Sequence, residues 1–302
     1  MEYKPLGKTG EKLPAIGIGT WKMLSGATDI TAIRNAVAQG MTLVDTAEMY
    51  GNEEMVGHAI KGLDVFLATK VSPHNFKYDD VIKACNASLQ RLGVKQIDLY
   101  QLHWPNHSVP IGETMRAMEK LKKDGKIRHI GVSNFDVGEF EEAQAALKND
   151  DIVSNQVEYS ILVRDVESEL LGYCKKNKVT VIAYSPLARG ALFDKRYQKL
   201  AESLKKIGSK HGKTASQVAL NWLIAKENVI AIPKASTEQH IIENAGAAGW
   251  KLSADDMSEI NTFLSGIRKR PLASVFTPII KHSGFWSKRM TSRNQNRNKY
   301  QS

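Results

Sequence analysis

Four residues suited to acid–base chemistry sit at the ends of apolar runs. Asp45 follows Leu43 and Val44, Lys70 follows the run from Phe66 to Thr69, and His103 follows the run from Leu99 to Leu102. Tyr50 lies just beyond Asp45, on a turn with Gly51 and Asn52. A carboxylate leaving an apolar run needs a cationic partner, because burying an unpaired charge is strongly unfavourable. Lys70 is the candidate. Its ammonium would then face the Tyr50 hydroxyl, whose ordinary pKa is about 10. A neighbouring cation stabilises phenolate, so Tyr50 is expected to titrate lower and to serve as proton donor or acceptor near neutral pH. His103 adds a hydrogen bond to whichever oxygen Tyr50 serves. Each residue has a plain structural role available: helix cap, packing aromatic, strand-end lysine with its stem on apolar surface, satisfied core histidine. Their coincidence on successive strand ends points to a site.

The elements that must position them alternate along the chain. Short β-branched runs at 16–20, 42–47, 65–70, 96–103, 129–134, 152–160, 180–187 and 229–235 read as strands. Between them lie stretches of helical period. One, from Lys77 to Gly93, places Val81, Ile82, Cys85, Leu89 and Leu92 on one face, with Gly93 as its stop. Another carries Met115, Met118 and Leu121 ahead of Gly125, and two more fill the interval between the seventh and eighth strands. Eight strands alternating with helices predict an α/β protein of the (β/α)8 TIM-barrel type, as a single domain over 1–267. The opening LGKTGEKLP predicts a hairpin capping the barrel's bottom. A doubly wound open sheet is weaker, because Gly17 and Gly19 lead into TWK rather than completing a G-x-G-x-x-G turn.

Barrel sites form at the C-terminal strand ends. Asp45, Tyr50, Lys70 and His103 therefore share one mouth with the polar ends of the later strands. Ser133 and Asn134 close the fifth, Gln156 and Tyr159 lie in the sixth, and Tyr184 and Ser185 end the seventh. These amides and hydroxyls suit a carboxamide, and the Tyr184 ring suits a flat heterocycle. Lys234 precedes the helix TEQHIIENAG, whose N-terminus beside a lysine makes a phosphate site.

The formal charge of +10 suggests nucleic acid, but nine Lys and Arg and no acid lie in 268–302. The remainder is near neutral, so the basicity belongs to a tail expected to be flexible, and nucleic-acid binding is disfavoured. Phe285 and Trp286 among its cations offer a weaker alternative, contact with an anionic membrane surface. GSKHGKT (208–214) lacks the spacing of a phosphate-binding loop and reads as a turn between helices. His103 and His107 have no carboxylate or cysteine at ligand spacing, so no metal is expected. Two separated cysteines, no apolar run of membrane-spanning length and no secretory leader point to the cytoplasm.

The motifs GIGTW, DTAEMYGNEEMVG, LATK, YQLHWP, GVSNF, NQVEYS, YSPLARG and IPKAS, in this order, resemble those of the aldo-keto reductases, over about Tyr3 to Gly266. The resemblance implies an NAD(P)H-dependent oxidoreductase without metal or flavin, reducing aldehyde or ketone carbonyls to alcohols by hydride transfer. Tyr50 would be the general acid in a tetrad with Asp45, Lys70 and His103. Trp21 and Trp104, with Tyr50 and His103, would line the substrate pocket. Ser133, Asn134, Gln156 and Tyr184 would bind the nicotinamide, and Thr20, Ser185 and Leu187 would also contact the cofactor. Lys234, Ser236, Thr237, His240 and Asn244 would take the adenosine phosphate and adenine.

Departures from the family pattern are Ala235 in place of serine and His240 where NADPH-preferring members commonly carry arginine. The connection after His103 is also short, and the C-terminal segment is atypical. NADPH is the expected cofactor and NADH the alternative. Aldehydes, ketoses and keto acids are the candidate substrates, and the oligomeric state is open. Competing readings are a sugar or alcohol dehydrogenase working in the oxidative direction and a cofactor-binding regulatory subunit.

Overall fold

A computed structural model describes residues 1–24 and 26–266; the basic segment 268–302 lies outside the described residues. In chain order the elements are β1 (Tyr3–Pro5), β2 (Lys12–Pro14), β3 (Ile18–Gly19), α1 (Ala27–Ala38), β4 (Leu43–Asp45), α2 (Glu53–Ile60), β5 (Phe66–Val71), α3 (Tyr78–Leu92), β6 (Ile97–Leu102) and α4 (Ile111–Lys123). There follow β7 (Ile127–Ser133), α5 (Val137–Ala145), β8 (Ile152–Glu158), α6 (Leu170–Lys176), β9 (Thr180–Tyr184), α7 (Gln198–Lys210), α8 (Ala215–Ile224), β10 (Val229–Ala231), α9 (Glu238–Ala245) and α10 (Ala254–Ser265).

Strands β3 to β10 form one parallel sheet in sequential order. Its two ends meet through a parallel bridge between Ile16 and Ala231, with Gly17 N donating to Ala231 O at 2.8 Å. Close neighbours on the two sides of this strand explain the glycines of IGIGT. A Cβ on Gly19 would sit 2.9 Å from Ile232 O, and one on Gly17 would sit 2.8 Å from Leu43 O. The sheet thus closes into the expected barrel, and β1 and β2 pair antiparallel as the expected hairpin.

Alternate residues of a strand face the same side. Leu43, Phe66, Ala68, Leu99, Ile182 and Ile230 fill the barrel with Leu6 and Leu13 of the hairpin as a plug. One more step along the same face brings Asp45, Lys70, Gln101 and Tyr184, so the interior turns polar towards the C-terminal strand ends. The larger core lies outside, between sheet and helices, and includes Val81, Cys85, Leu92, Met115, Met118 and Leu121 as expected, with Ile82 and Leu89 packed against it half-buried. Gly93 and Gly125 are left-handed, at φ 66° and 71°. GSKHGKT proves to be the end of α7 and the turn into α8, where Thr214 and Gln217 form a reciprocal cap.

The strands expected to end at 187 and 235 stop three and four residues earlier. β10 stops at Ala231 because Pro233 cannot donate to a neighbour. β9 stops at Tyr184, and Ser185, Ala188 and Arg189 adopt left-handed φ values of 49°, 50° and 56° in the following loop.

Candidate active site

Asp45 ends β4 and Lys70 lies in the adjacent β5; both are buried. The Lys70 ammonium donates to Asp45 Oδ1 at 2.5 Å and to Thr46 O at 2.7 Å, and it lies 3.4 Å from the Tyr50 hydroxyl. Burial lowers the pKa of this ammonium, but the Asp45 carboxylate and its hydrogen bond, helped by Tyr50, outweigh burial and leave it raised.

Tyr50 closes a 3-10 turn, Glu48–Tyr50, that ends on left-handed Gly51. Two neighbours clamp this turn. Glu48 accepts from Ser72 N and from Asn75 Nδ2, tying it to the end of β5. Asn52 accepts from Thr46 Oγ1 at 2.8 Å and donates to Thr20 O at 2.8 Å and Met23 O at 3.0 Å, tying it to the loop after β3.

The expected depression of the Tyr50 pKa is not what this environment produces. Burial raises it, Lys70 pulls it down by less, and Asp45 pushes it up again, so the net direction is upward. The phenol is therefore protonated at neutral pH. It is fitted to donate a proton, and poorly fitted to accept one without help.

His103 follows β6, and its ring meets Tyr50 edge-on at 5.7 Å and Trp104 at 4.4 Å. Burial, and then the Lys70 charge, hold its pKa well below the usual value, so the imidazole is neutral. Its Nδ1 is buried without a protein partner, as is Thr20 Oγ1 beside Asp45, whose carbonyl accepts from Thr20 N at 3.0 Å. Such orphaned polar atoms suit a site that receives a polar ligand.

The strand ends opposite are joined to this cluster by hydrogen bonds. Asn134, left-handed at φ 62°, donates to His103 O at 3.1 Å and accepts from the Tyr184 hydroxyl at 2.9 Å. Ser133 donates to Gln156 O at 2.8 Å. Gln156 Nε2 donates to Asp45 Oδ2 at 2.8 Å, so this amide faces the buried carboxylate with its nitrogen. Ser185 accepts from Arg189 Nε at 3.4 Å, and half-buried Leu187 follows in that loop. Trp21 is half-buried, with the Lys22 ammonium 4.6 Å and the Arg189 guanidinium 4.8 Å from its ring centre.

The outer group lies at α9. Thr237 caps that helix by accepting from His240 N at 3.3 Å, Lys234 and His240 are exposed, and Asn244 is buried. The Ser236 hydroxyl donates to Asp29 of α1 at 3.2 Å. Tyr159 donates to Glu167 at 2.7 Å and packs on Trp222, which makes it a core residue. Among the described residues no His, Cys, Asp or Glu cluster could hold a metal ion.

Sequence reasoning missed Glu48, Asn52, Glu53 and Gln101. Glu53 is buried, accepts from Thr69 at 2.6 Å and from Ser88 at 3.1 Å, and pairs with Arg91 at 2.6 Å, bracing β5 next to Lys70. Glu53 gave no signal of its own, since acids are favoured in the first turn of a helix and only the fold shows that this one is buried.

The closed parallel barrel thus brings a buried lysine–aspartate pair, a protonated tyrosine and a neutral histidine together at its C-terminal mouth. The chain belongs to the aldo/keto reductase family, whose model matches residues 15–265. It is 40% identical to the methylglyoxal reductase YeaE of Escherichia coli (strain K12), over 86% of this chain and 95% of that protein. It is 38% identical to the glyoxal reductase of Bacillus subtilis (strain 168), over 87% and 93%. An aldo/keto reductase from Klebsiella pneumoniae, solved with NADP and acetate, superposes with a TM-score of 0.80 at 35% identity, covering 89% of this chain and 98% of that one.

Proposed function

We propose that the protein reduces small aldehydes and 2-oxoaldehydes to alcohols with NADPH, and that Tyr50 supplies the proton. The observation that carries this reading is the Tyr50 hydroxyl 3.4 Å from Lys70 Nζ in an environment that keeps the phenol protonated. The methylglyoxal and glyoxal reductases among its relatives support the substrate class, and the NADP complex of a structural neighbour supports the cofactor.

The cofactor would be held by Ser133, Asn134, Gln156 and Tyr184 at the nicotinamide, by Thr20, Ser185 and Leu187 along its length, and by Lys234, Ser236, Thr237, His240 and Asn244 at the adenosine phosphate. When bound it supplies the hydride that reaches the carbonyl carbon. His103, neutral, donates a hydrogen bond to the carbonyl oxygen and orients it against the Tyr50 hydroxyl. Tyr50 gives its proton to that oxygen as negative charge develops. The resulting phenolate is stabilised by the Lys70 ammonium, which Asp45 keeps charged. Trp21 and Trp104 wall the pocket. The protonated Tyr50 is in the state that reduction requires, and the complete proton-transfer set argues against a purely regulatory role.

Residues 1–267 would act as one catalytic unit, so a chain cut after 267 should keep the activity; loss of activity in a folded truncated chain would refute this. The cytoplasm is the compartment this chemistry suits. The test is NADPH consumption by the purified protein with methylglyoxal and glyoxal, against ketoses and keto acids at equal concentration. No NADPH consumption with any of these carbonyls would refute the reading.

A further inference from the structure

Gln101 has no assigned task, yet it sits fully buried in the polar layer of the barrel. Its strand β6 pairs with β5 so that Gln101 lies opposite Lys70. Gln101 Nε2 donates to Asp45 Oδ2 at 3.2 Å, the oxygen that also accepts from Gln156 Nε2 at 2.8 Å. Gln156 Nε2 further approaches Gln101 Oε1 at 3.3 Å. Asp45 thus gives one oxygen to Lys70 and the other to two amides.

The amide orientations follow from chemistry. An ionised carboxylate only accepts hydrogen bonds, so both glutamines must turn their NH2 groups towards Asp45. Both hydrogens of Gln156 Nε2 are then committed, one to Asp45 and one to Gln101 Oε1. The carbonyl oxygen Oε1 is what remains of that amide for a ligand.

The backbone makes room for this arrangement. Gln101 on β6 and Gln156 on β8 flank β7, where Gly131 pairs with Gln101 on one side and with Ser154 on the other. A Cβ on Gly131 would fall 2.9 Å from Gln101 Cγ and 2.7 Å from Ser154 Oγ. Glycine at this point leaves the room that the Gln101 stem occupies as it reaches over β7.

We infer that Gln101 is a positioning residue for the reaction. It holds the Asp45 carboxylate that keeps Lys70 charged, and it locks the Gln156 amide so that Oε1 faces a ligand as a hydrogen-bond acceptor, suited to a carboxamide NH2. The inference rests on the reductase reading above.

The test compares wild type with Gln101→Met, which keeps the length and removes both hydrogen bonds, measuring kcat, KM for methylglyoxal and thermal midpoint. A hydrogen bond to a buried charge is worth roughly a ten-fold effect, so kcat should fall about ten-fold with KM for methylglyoxal little changed, beyond any modest fall in the thermal midpoint. In single-turnover runs on an Asp45→Asn background, the same substitution should cost clearly less than in wild type, because the carboxylate is gone and only the contact with Gln156 remains. Gln101→Leu serves with the same expectations if Gln101→Met does not fold. Wild-type kcat in the variant, or an equal fractional loss in the Asp45→Asn background, overturns the role of Gln101. A wild-type protein inactive with NADPH and every carbonyl tried overturns the reductase reading instead.

Discussion

The Lys70 ammonium lies 3.4 Å from the Tyr50 hydroxyl and 5.0 Å from the centre of its ring, while Asp45 holds the same ammonium at 2.5 Å. Tyr50 therefore sees a cation that is already neutralised in part. Burial of the phenol outweighs that cation and the nearby Asp45 carboxylate adds to burial, so the pKa stays raised, while Lys70 remains placed to stabilise a phenolate.

Lys70→Met removes that cation and leaves Asp45 buried and unpaired except for the glutamine amides. Breaking a buried pair on one side costs about 3–5 kcal/mol, so the thermal midpoint should drop clearly along with loss of activity. Lys70→Met with Asp45→Asn should recover much of the midpoint but none of the turnover. Calorimetry of the single and double variants checks this; an unchanged midpoint in Lys70→Met would contradict the pairing.

The pH dependence of reduction follows from the same environment. A proton donor works while protonated, so its contribution is present below its pKa and lost above it. Tyr50 and Lys70 are both shifted upward, and His103 is shifted well down, so it stays neutral across the working range. The single-turnover rate of reduction should therefore stay level through neutral pH and fall only above the ordinary phenol value of about 10. A fall centred near pH 7 would show instead that Lys70 dominates Tyr50.

Cofactor choice turns on the cations at α9. Lys234→Met should reduce the preference for NADPH over NADH by roughly ten-fold, through loss of a charge beside a helix N-terminus. His240→Arg should strengthen NADPH binding, since arginine offers a permanent planar fork to a phosphate. Fluorescence titration of both cofactors reads the two variants; an unchanged NADPH to NADH ratio in Lys234→Met would remove Lys234 from the site.

The strand pattern and the polar strand ends of the candidate site were legible because β-branched runs stop on exceptional polar residues. Asp45, Lys70 and His103 stand out against the apolar residues that precede them. The helix α1 was not legible, since Ala27–Ala38 buries chiefly Ala32, Ile33 and Ala36 and shows little contrast between its faces. Gln101 was hidden for another reason. A single amide inside a strand looks unremarkable until the register brings it against Asp45 and Gln156. The Tyr50 pKa departs from expectation because sequence shows the cation and the carboxylate paired with it, but not the depth at which the phenol is buried.

The proton donor itself is tested most directly by single-turnover reduction of methylglyoxal in the Tyr50→Phe variant preloaded with NADPH. The substitution deletes one hydroxyl and keeps the ring against His103, so NADPH affinity should stay within a few-fold of wild type. Cofactor oxidation should slow by about 100-fold or more, the scale of losing a general acid. Oxidation within a few-fold of the wild-type rate would mean that the proton comes from elsewhere, and the account of this site would fail.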